Sequence, residues 1–233
     1  NYEGIFSKRV NVEELYTCNV KDEAKKNLWE FFTISLDYQM KASILYSGAN
    51  RLMCEKPQYY DPYFVAKQTE KQLTKVLSEY LHPRYPHEAG KRWKTLAVLL
   101  IEKYAGNPAS IFAGTTDAHE VMKRIYEFRG FGPKIGNLFF RVMADDGYAK
   151  FLTNVEDVTI PVDVHDVRLI NVIGVAKTNK IMEIKNIWKE ACGQAKVSWT
   201  GFDIALWTLG SQGCTNKRCA ECVVQKYCLT VRK

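Results

Sequence analysis

The sequence predicts an all-α protein, on three observations. Apolar residues recur at three- and four-residue intervals over most of the chain, as one face of a helix requires. No segment keeps the two-residue alternation of a half-buried strand. The breaks between periodic segments carry helix punctuation, with aspartate, proline and glycine at starts and stops.

The elements follow in order. NLWEFFTISLDYQMKASILYSGANRLM (27–53) is long and apolar-rich and reads as two helices. DPYFVAKQTEKQLTKVLSEYL (61–81) reads as one helix, with Asp61 as N-cap, Pro62 in first position, and Val65, Leu73, Val76, Leu77 and Leu81 near helical spacing. HPRYPHEAG (82–90) is a polar loop, and KRWKTLAVLLIEKYAG (91–106) a helix closed by Gly106. DAHEVMKRIYEF (117–128) is the next helix, followed by a glycine turn and a helix over 133–143. The connection ADDGYAKFLTNVEDVTIP has no clear period; helices return over 163–174 and 186–195, and FDIALWTLGSQGC (202–214) runs into a cysteine cluster.

A length of 233 residues allows one large or two small domains, and 46% apolar with 25% charged residues suits a globular protein. The formal net charge of +7 favours an anionic partner such as nucleic acid. No apolar run is long enough for a transmembrane helix, and the first residues lack a signal-peptide core. The expectation is an intracellular protein, bacterial cytoplasmic or nuclear, with no membrane partner and with reduced thiols. Cys18, Cys54 and Cys192 are scattered and read as small apolar side chains.

GFGPKIG (130–136) is the first motif with chemical content. With the helices on either side it makes a helix–hairpin–helix. Gly130 and Gly132 permit positive φ and close approach, and Pro133 suits a helix start. Amides of Gly130, Phe131 and Gly132 can hold a phosphate of DNA without reading its sequence; the bland alternative is an ordinary inter-helix turn. Lys134 sits where cations are disfavoured by the helix dipole, and an amine without its extra proton is the form that attacks carbon. Its bland alternative is a lysine reaching to phosphate or water. Asp163, 29 residues on in IPVDVHDVRL, stands where an N-cap belongs, with Asp166 three residues later. It is a structural cap, or a carboxylate that stabilises a developing sugar cation.

The C-terminus carries CTNKRCAECVVQKYC, in which Cys214, Cys219, Cys222 and Cys228 are spaced C-x4-C-x2-C-x5-C. Four thiols this close suit a [4Fe–4S] cluster, with zinc as the alternative. Lys217 and Arg218 in its first loop are candidates for DNA phosphates, or plain solvated charge.

Together, FRGFGPKIGNLFFRVM and IPVDVHDVRLINVIG resemble the helix–hairpin–helix DNA glycosylase superfamily, in particular the endonuclease III branch. The resemblance implies two helical subdomains with the active-site cleft between them. One is a six-helix barrel over 20–157 containing the hairpin; the other joins 1–19 to 158–233 and carries the iron–sulfur loop. It puts Lys134 on the catalytic lysine and Asp163 on the catalytic aspartate of a bifunctional glycosylase and abasic-site lyase. The partner is double-stranded DNA with a damaged base, an oxidised pyrimidine first, and the protein a monomer. FFTISLDYQMKA is similar to the family's helix with a glutamine that enters DNA, which gives Gln39 that role. Arg84 and Tyr85 are candidates to fill the gap left by a flipped nucleotide, and Tyr126, Phe131 and Trp207 to stack on its base. The chain departs from the branch in three places. The first cysteine gap is two residues shorter than the branch's C-x6-C, Tyr126 stands where an acidic residue is expected, and the stretch 145–157 reads as an insertion. IPVDVH is equally similar to the 8-oxoguanine glycosylase branch, so a glycosylase for 8-oxoguanine or mismatched uracil, or a non-catalytic DNA-binding iron–sulfur protein, stays open.

Overall fold

The computed structural model describes residues 20–231. They are mostly helical and form no strand beyond an isolated bridge between Asp117 and Thr153. They divide into two compact units, 20–158 and 159–231. The expected role of residues 1–19, Cys18 included, falls outside the described residues. Among those described, no helix is long and apolar enough to cross a membrane.

In the larger unit the helices are α1 (Glu23–Ile34), α2 (Ala42–Glu55), α3 (Pro62–Lys67), α4 (Glu70–Tyr80), α5 (Pro86–Tyr104), α6 (Ala118–Tyr126) and α7 (Ile135–Asp145). The segment 61–81, expected as one helix, is two. Thr69 accepts from the Gln72 N–H at 3.2 Å while the Gln72 side chain accepts from the Thr69 N–H at 2.9 Å. This reciprocal cap makes Thr69 a helix start that outranks the apolar period running across it. The loop expected over 82–90 is shorter, because Pro86 opens α5, where its missing N–H costs nothing. The helix closes on Ala105 in the left-handed region (φ 52°), with Gly106 next. The stretch 145–157 is strapped to the start of α6: Thr153 N–H donates to Thr116 O at 2.7 Å, and Ala118 N–H donates to Thr153 O at 3.1 Å.

Helix α1 is the axis of this unit, with Trp29, Phe31, Phe32 and Ile34 fully buried. Around Phe31 stand the rings of Phe128, Phe131 and Phe139, with centroids at 5.0, 5.1 and 5.5 Å. Each such burial contributes about 1.5–3 kcal/mol. Phe128 and Phe131 belong to the hairpin turn, so the core itself holds the turn in place. The last carbonyls of a helix lack partners within it. Here, side chains from elsewhere supply them: Trp93 donates to Phe32 O at 3.1 Å and Arg92 to Ser35 O at 2.6 Å.

The smaller unit contains α8 (Val164–Val172), α9 (Ile181–Ala195) and α10 (Trp199–Thr208), which pack on one another, and then a widened turn over Leu209–Cys214. Helix α9 starts earlier than the expected 186. Cys192 is buried on it, as its reading as a small apolar side chain expects. Cys54 is instead disulfide-bonded, against the expectation of an apolar, reduced thiol there.

Candidate active site and cysteine centre

The hairpin turn is built by two glycines with different duties. Gly130 has φ 95°, and a Cβ there would lie 2.7 Å from Arg92 Nε, so a side chain is excluded twice over. Gly132 is exposed with open space beside it. The N–H groups of both make no hydrogen bond among the described residues, whereas the Phe131 N–H donates to Phe128 O at 3.0 Å. Phe131 is therefore withdrawn from the phosphate clasp and from base stacking alike: its amide is used in the turn, and its ring is 2% exposed against Phe31. What remains is a pair of glycine amides and a helix start with the Arg92 guanidinium beneath, a cationic setting for a phosphate.

Lys134 precedes α7 and is its N-cap residue rather than part of its first turn. Gly136 N–H donates to Gly132 O at 2.7 Å and Leu138 N–H to Lys134 O at 3.0 Å, so the helical bonding begins at Gly132. The Lys134 side chain is half-buried and turns back to the end of α1. Its Nζ donates to Asp37 O at 2.9 Å and lies 3.5 Å from Asp37 Oδ1. Both contacts use the amine as a donor, so attack on carbon requires one of its protons to leave.

Tyr126 lies over the same helix. Its ring rests where a Cβ on Gly136 would be 2.8 Å away, and its hydroxyl donates to Asn137 Oδ1 at 2.8 Å. Burial pushes its phenol up. This ring is committed to joining α6 to α7, which accounts for an aromatic residue where the resemblance expects an acid.

Gln39 and Arg84 come to neighbouring places. Gln39 is exposed, in the left-handed region (φ 53°), and donates to the Tyr38 hydroxyl at 3.1 Å. Tyr38, Arg84, Tyr85, Glu88 and Arg92 line one half-open depression. Arg84 sits over the Tyr85 ring at 5.7 Å, and both tyrosines are about half exposed. The turn after α1 and the start of α5 thus present exposed aromatics and a cation side by side.

In the smaller unit Asp163 caps α8 as its position predicts. It accepts from His165 N–H at 2.6 Å and Asp166 N–H at 3.2 Å, and its own N–H donates to Asp166 Oδ2 at 2.8 Å. Asp166 is 3% exposed, and burial, followed by the charges of Asp163 and Asp203, raises its carboxyl to about 8. His165 stands edge-on to Trp207 at 6.5 Å and meets Arg168 at 3.0 Å through Nδ1. Arg168 also donates to Gly210 O at 2.6 Å and to the Thr215 hydroxyl at 2.9 Å, tying α8 to the residue after Cys214.

Cys214, Cys219, Cys222 and Cys228 line one cavity, walled by Leu169, Val172, Ile173, Leu209 and Val224. Burial pushes the Cys222 thiol up, and the other three thiols push the same way. Yet among the described residues no group of three His, Cys, Asp or Glu side chains is gathered so as to hold a metal ion. The shared cavity is the stronger observation, because thiols rotate more easily than the backbone that carries them. A single zinc with bonds of about 2.3 Å needs its sulfurs drawn to one point. Four cysteines lining one apolar cavity are a donor set that suits either zinc or an iron–sulfur cluster. Lys217 is exposed with φ 54°, while Arg218 is exposed but paired with Glu221.

Sequence reasoning missed Asp37 and Arg92. Asp37 had a signal, a carboxylate ending an apolar helix just before Tyr-Gln; Arg92 had none.

No protein-family profile and no curated protein matches this sequence. Solved structures similar to the chain include two complexes of endonuclease III with DNA. One is a trapped endonuclease III–DNA covalent intermediate, the estranged-adenine complex, with a TM-score of 0.64, 16% identity, and coverage of 95% of this chain and 92% of that one. The other is a non-covalent endonuclease III–DNA complex, with a TM-score of 0.63, 15% identity and the same coverage. The chain has the endonuclease III fold.

Proposed function

We propose that this protein is a DNA base-excision glycosylase with abasic-site lyase activity, acting on double-stranded DNA that holds a damaged base. The observation that carries this reading is Lys134, half-buried at the start of α7 and next to two glycine amides that make no hydrogen bond among the described residues, in a chain with the endonuclease III fold. Two of its solved neighbours are endonuclease III–DNA complexes, one of them trapped as a covalent intermediate.

A base inside a duplex is out of reach, so the nucleotide is flipped out. The Gly130 and Gly132 amides hold a phosphate, and Gln39 with Arg84 and Tyr85 occupies the gap left in the stack. Lys134 Nζ attacks C1′ as the glycosidic bond breaks, and the base leaves with the bonding pair. The Asp163 carboxylate stabilises cationic character at C1′. Loss of a proton and ring opening give a Schiff base, and β-elimination then cuts the strand 3′ to the site. Trp207, beside His165, is the ring offered to the extruded base. Cys214, Cys219, Cys222 and Cys228 would hold a [4Fe–4S] cluster, which when bound fixes the 214–228 loop and takes no part in the C1′ chemistry. Lys217 on that loop meets a phosphate. The favoured lesion is an oxidised pyrimidine, and the protein acts as a monomer.

The test is borohydride trapping on duplexes that each carry one lesion: thymine glycol, dihydrouracil, uracil, 8-oxoguanine or an abasic site. A covalent complex is expected with the wild-type chain and none above background with Lys134→Ala. Undiminished trapping by that variant removes the lysine from the chemistry. Trapping on 8-oxoguanine or uracil alone moves the substrate away from oxidised pyrimidines.

A further inference from the structure

We infer that Asp37 is the positioning residue and proton acceptor of Lys134. This rests on the reading of Lys134 as the nucleophile. Asp37 follows the last turn of α1, where its N–H donates to Ile34 O at 2.9 Å. Its carbonyl takes the Lys134 ammonium at 2.9 Å, and Oδ1 stands 3.5 Å from the same nitrogen. The Asp37 side chain is 15% exposed and the Lys134 side chain 33%, so the pair is largely sheltered and the amine keeps some access to solvent. Among the described residues Lys134 is the one ion-pair partner of Asp37. Another cation at this helix end, Arg92, is committed to Ser35 O at 2.6 Å.

The two contacts divide the work. The backbone carbonyl fixes where Nζ lies, aided by the partial negative charge at the end of a helix. The carboxylate receives the proton: an N–H bond of the ammonium breaks, an O–H bond forms on Asp37, and the freed pair on nitrogen attacks C1′. On an abasic site, the same amine adds to the C1′ aldehyde and water leaves, giving the Schiff base. Asp163 keeps its separate role of stabilising charge at C1′.

Abasic-site duplex separates this assignment from the identity of the damaged base. Asp37→Asn keeps the backbone carbonyl and the shape of the side chain but accepts a proton poorly. Its borohydride-trapping rate is expected to fall about 100-fold near neutral pH, the scale of a positioned general base. The loss should shrink as pH rises, because bulk hydroxide then removes the proton. Asp37→Glu should retain most of the wild-type rate. Thermal midpoint and DNA affinity should stay at wild-type values in both. Wild-type rate and pH profile in Asp37→Asn would overturn the assignment, and so would a loss equal at every pH and equal in Asp37→Glu, which is the pattern of a purely structural residue. Absence of trapping by the wild-type chain is a different result, which overturns the lyase reading itself and the role of Asp37 with it.

Discussion

Asp166 shows how one side chain links a cap to stability. Its carboxyl, raised to about 8 chiefly by burial, binds its proton more tightly in the folded chain than in the unfolded one. Between about pH 4, the ordinary aspartate value, and about pH 8 the folded state therefore holds more protons, and stability falls as pH rises. Asp166→Asn keeps an oxygen for the Asp163 N–H and cannot ionise. The variant is expected to lose that decline and to unfold at a higher temperature than wild type above pH 8. Parallel melting curves from pH 5 to 9 for the two proteins would refute the linkage. Residue roles were legible where they are local: Asp163 and Asp166 are three apart, and the cap could be read directly. The Lys134–Asp37 contact spans 97 residues, and no local pattern announces it.

At the scale of elements, helix starts were the hardest feature to read. Thr69 caps a helix inside a segment that apolar spacing reads as one helix, and Pro86 opens one inside a segment whose polar composition reads as a loop. In each case a capping or N-terminal residue decides the boundary, and the period is indifferent to it. The hairpin was legible because glycine and proline restrict the backbone locally. The seating of the hairpin was not, since it depends on Phe31 from a helix a hundred residues earlier. Gly136 puts a number on the α6–α7 contact. Alanine is worth up to about 1 kcal/mol over glycine inside a helix, but its Cβ would stand 2.8 Å from Tyr126 Cε1 and 3.2 Å from Ile125 Cγ2. Tyr126 cannot swing aside without giving up Asn137. Gly136→Ala is thus expected to destabilise by about 1–3 kcal/mol, read as a lowered denaturant midpoint. A raised midpoint would mean that propensity wins and that the Tyr126 ring moves freely.

Over the whole molecule, helix order, hairpin and cysteine run sufficed to point at the endonuclease III fold, even though identity to its solved structures is only 15–16%. Such a fold tolerates wide change because helix packing asks for apolar faces of about the right volume. Net charge of +7 says that an anionic partner is favoured, not where it sits. The cysteine loop supplies a place. Lys217 is exposed and held in the left-handed region, and its ammonium makes no ion pair or hydrogen bond among the described residues, whereas its neighbour Arg218 is drawn to Glu221. If the loop lies on DNA, Lys217 displaces about one counterion and Arg218 less. The logarithm of the affinity for undamaged duplex should fall linearly with the logarithm of salt concentration. Lys217→Ala should reduce that slope by about 0.9, and Arg218→Ala by less because Glu221 already neutralises it. If Cys214, Cys219, Cys222 and Cys228 hold the proposed cluster, stripping its iron should imitate Lys217→Ala, since the 214–228 loop would then lose the bonds that present the lysine. A slope untouched by both treatments would remove the loop from the DNA-binding surface and leave the hairpin amides as the phosphate site.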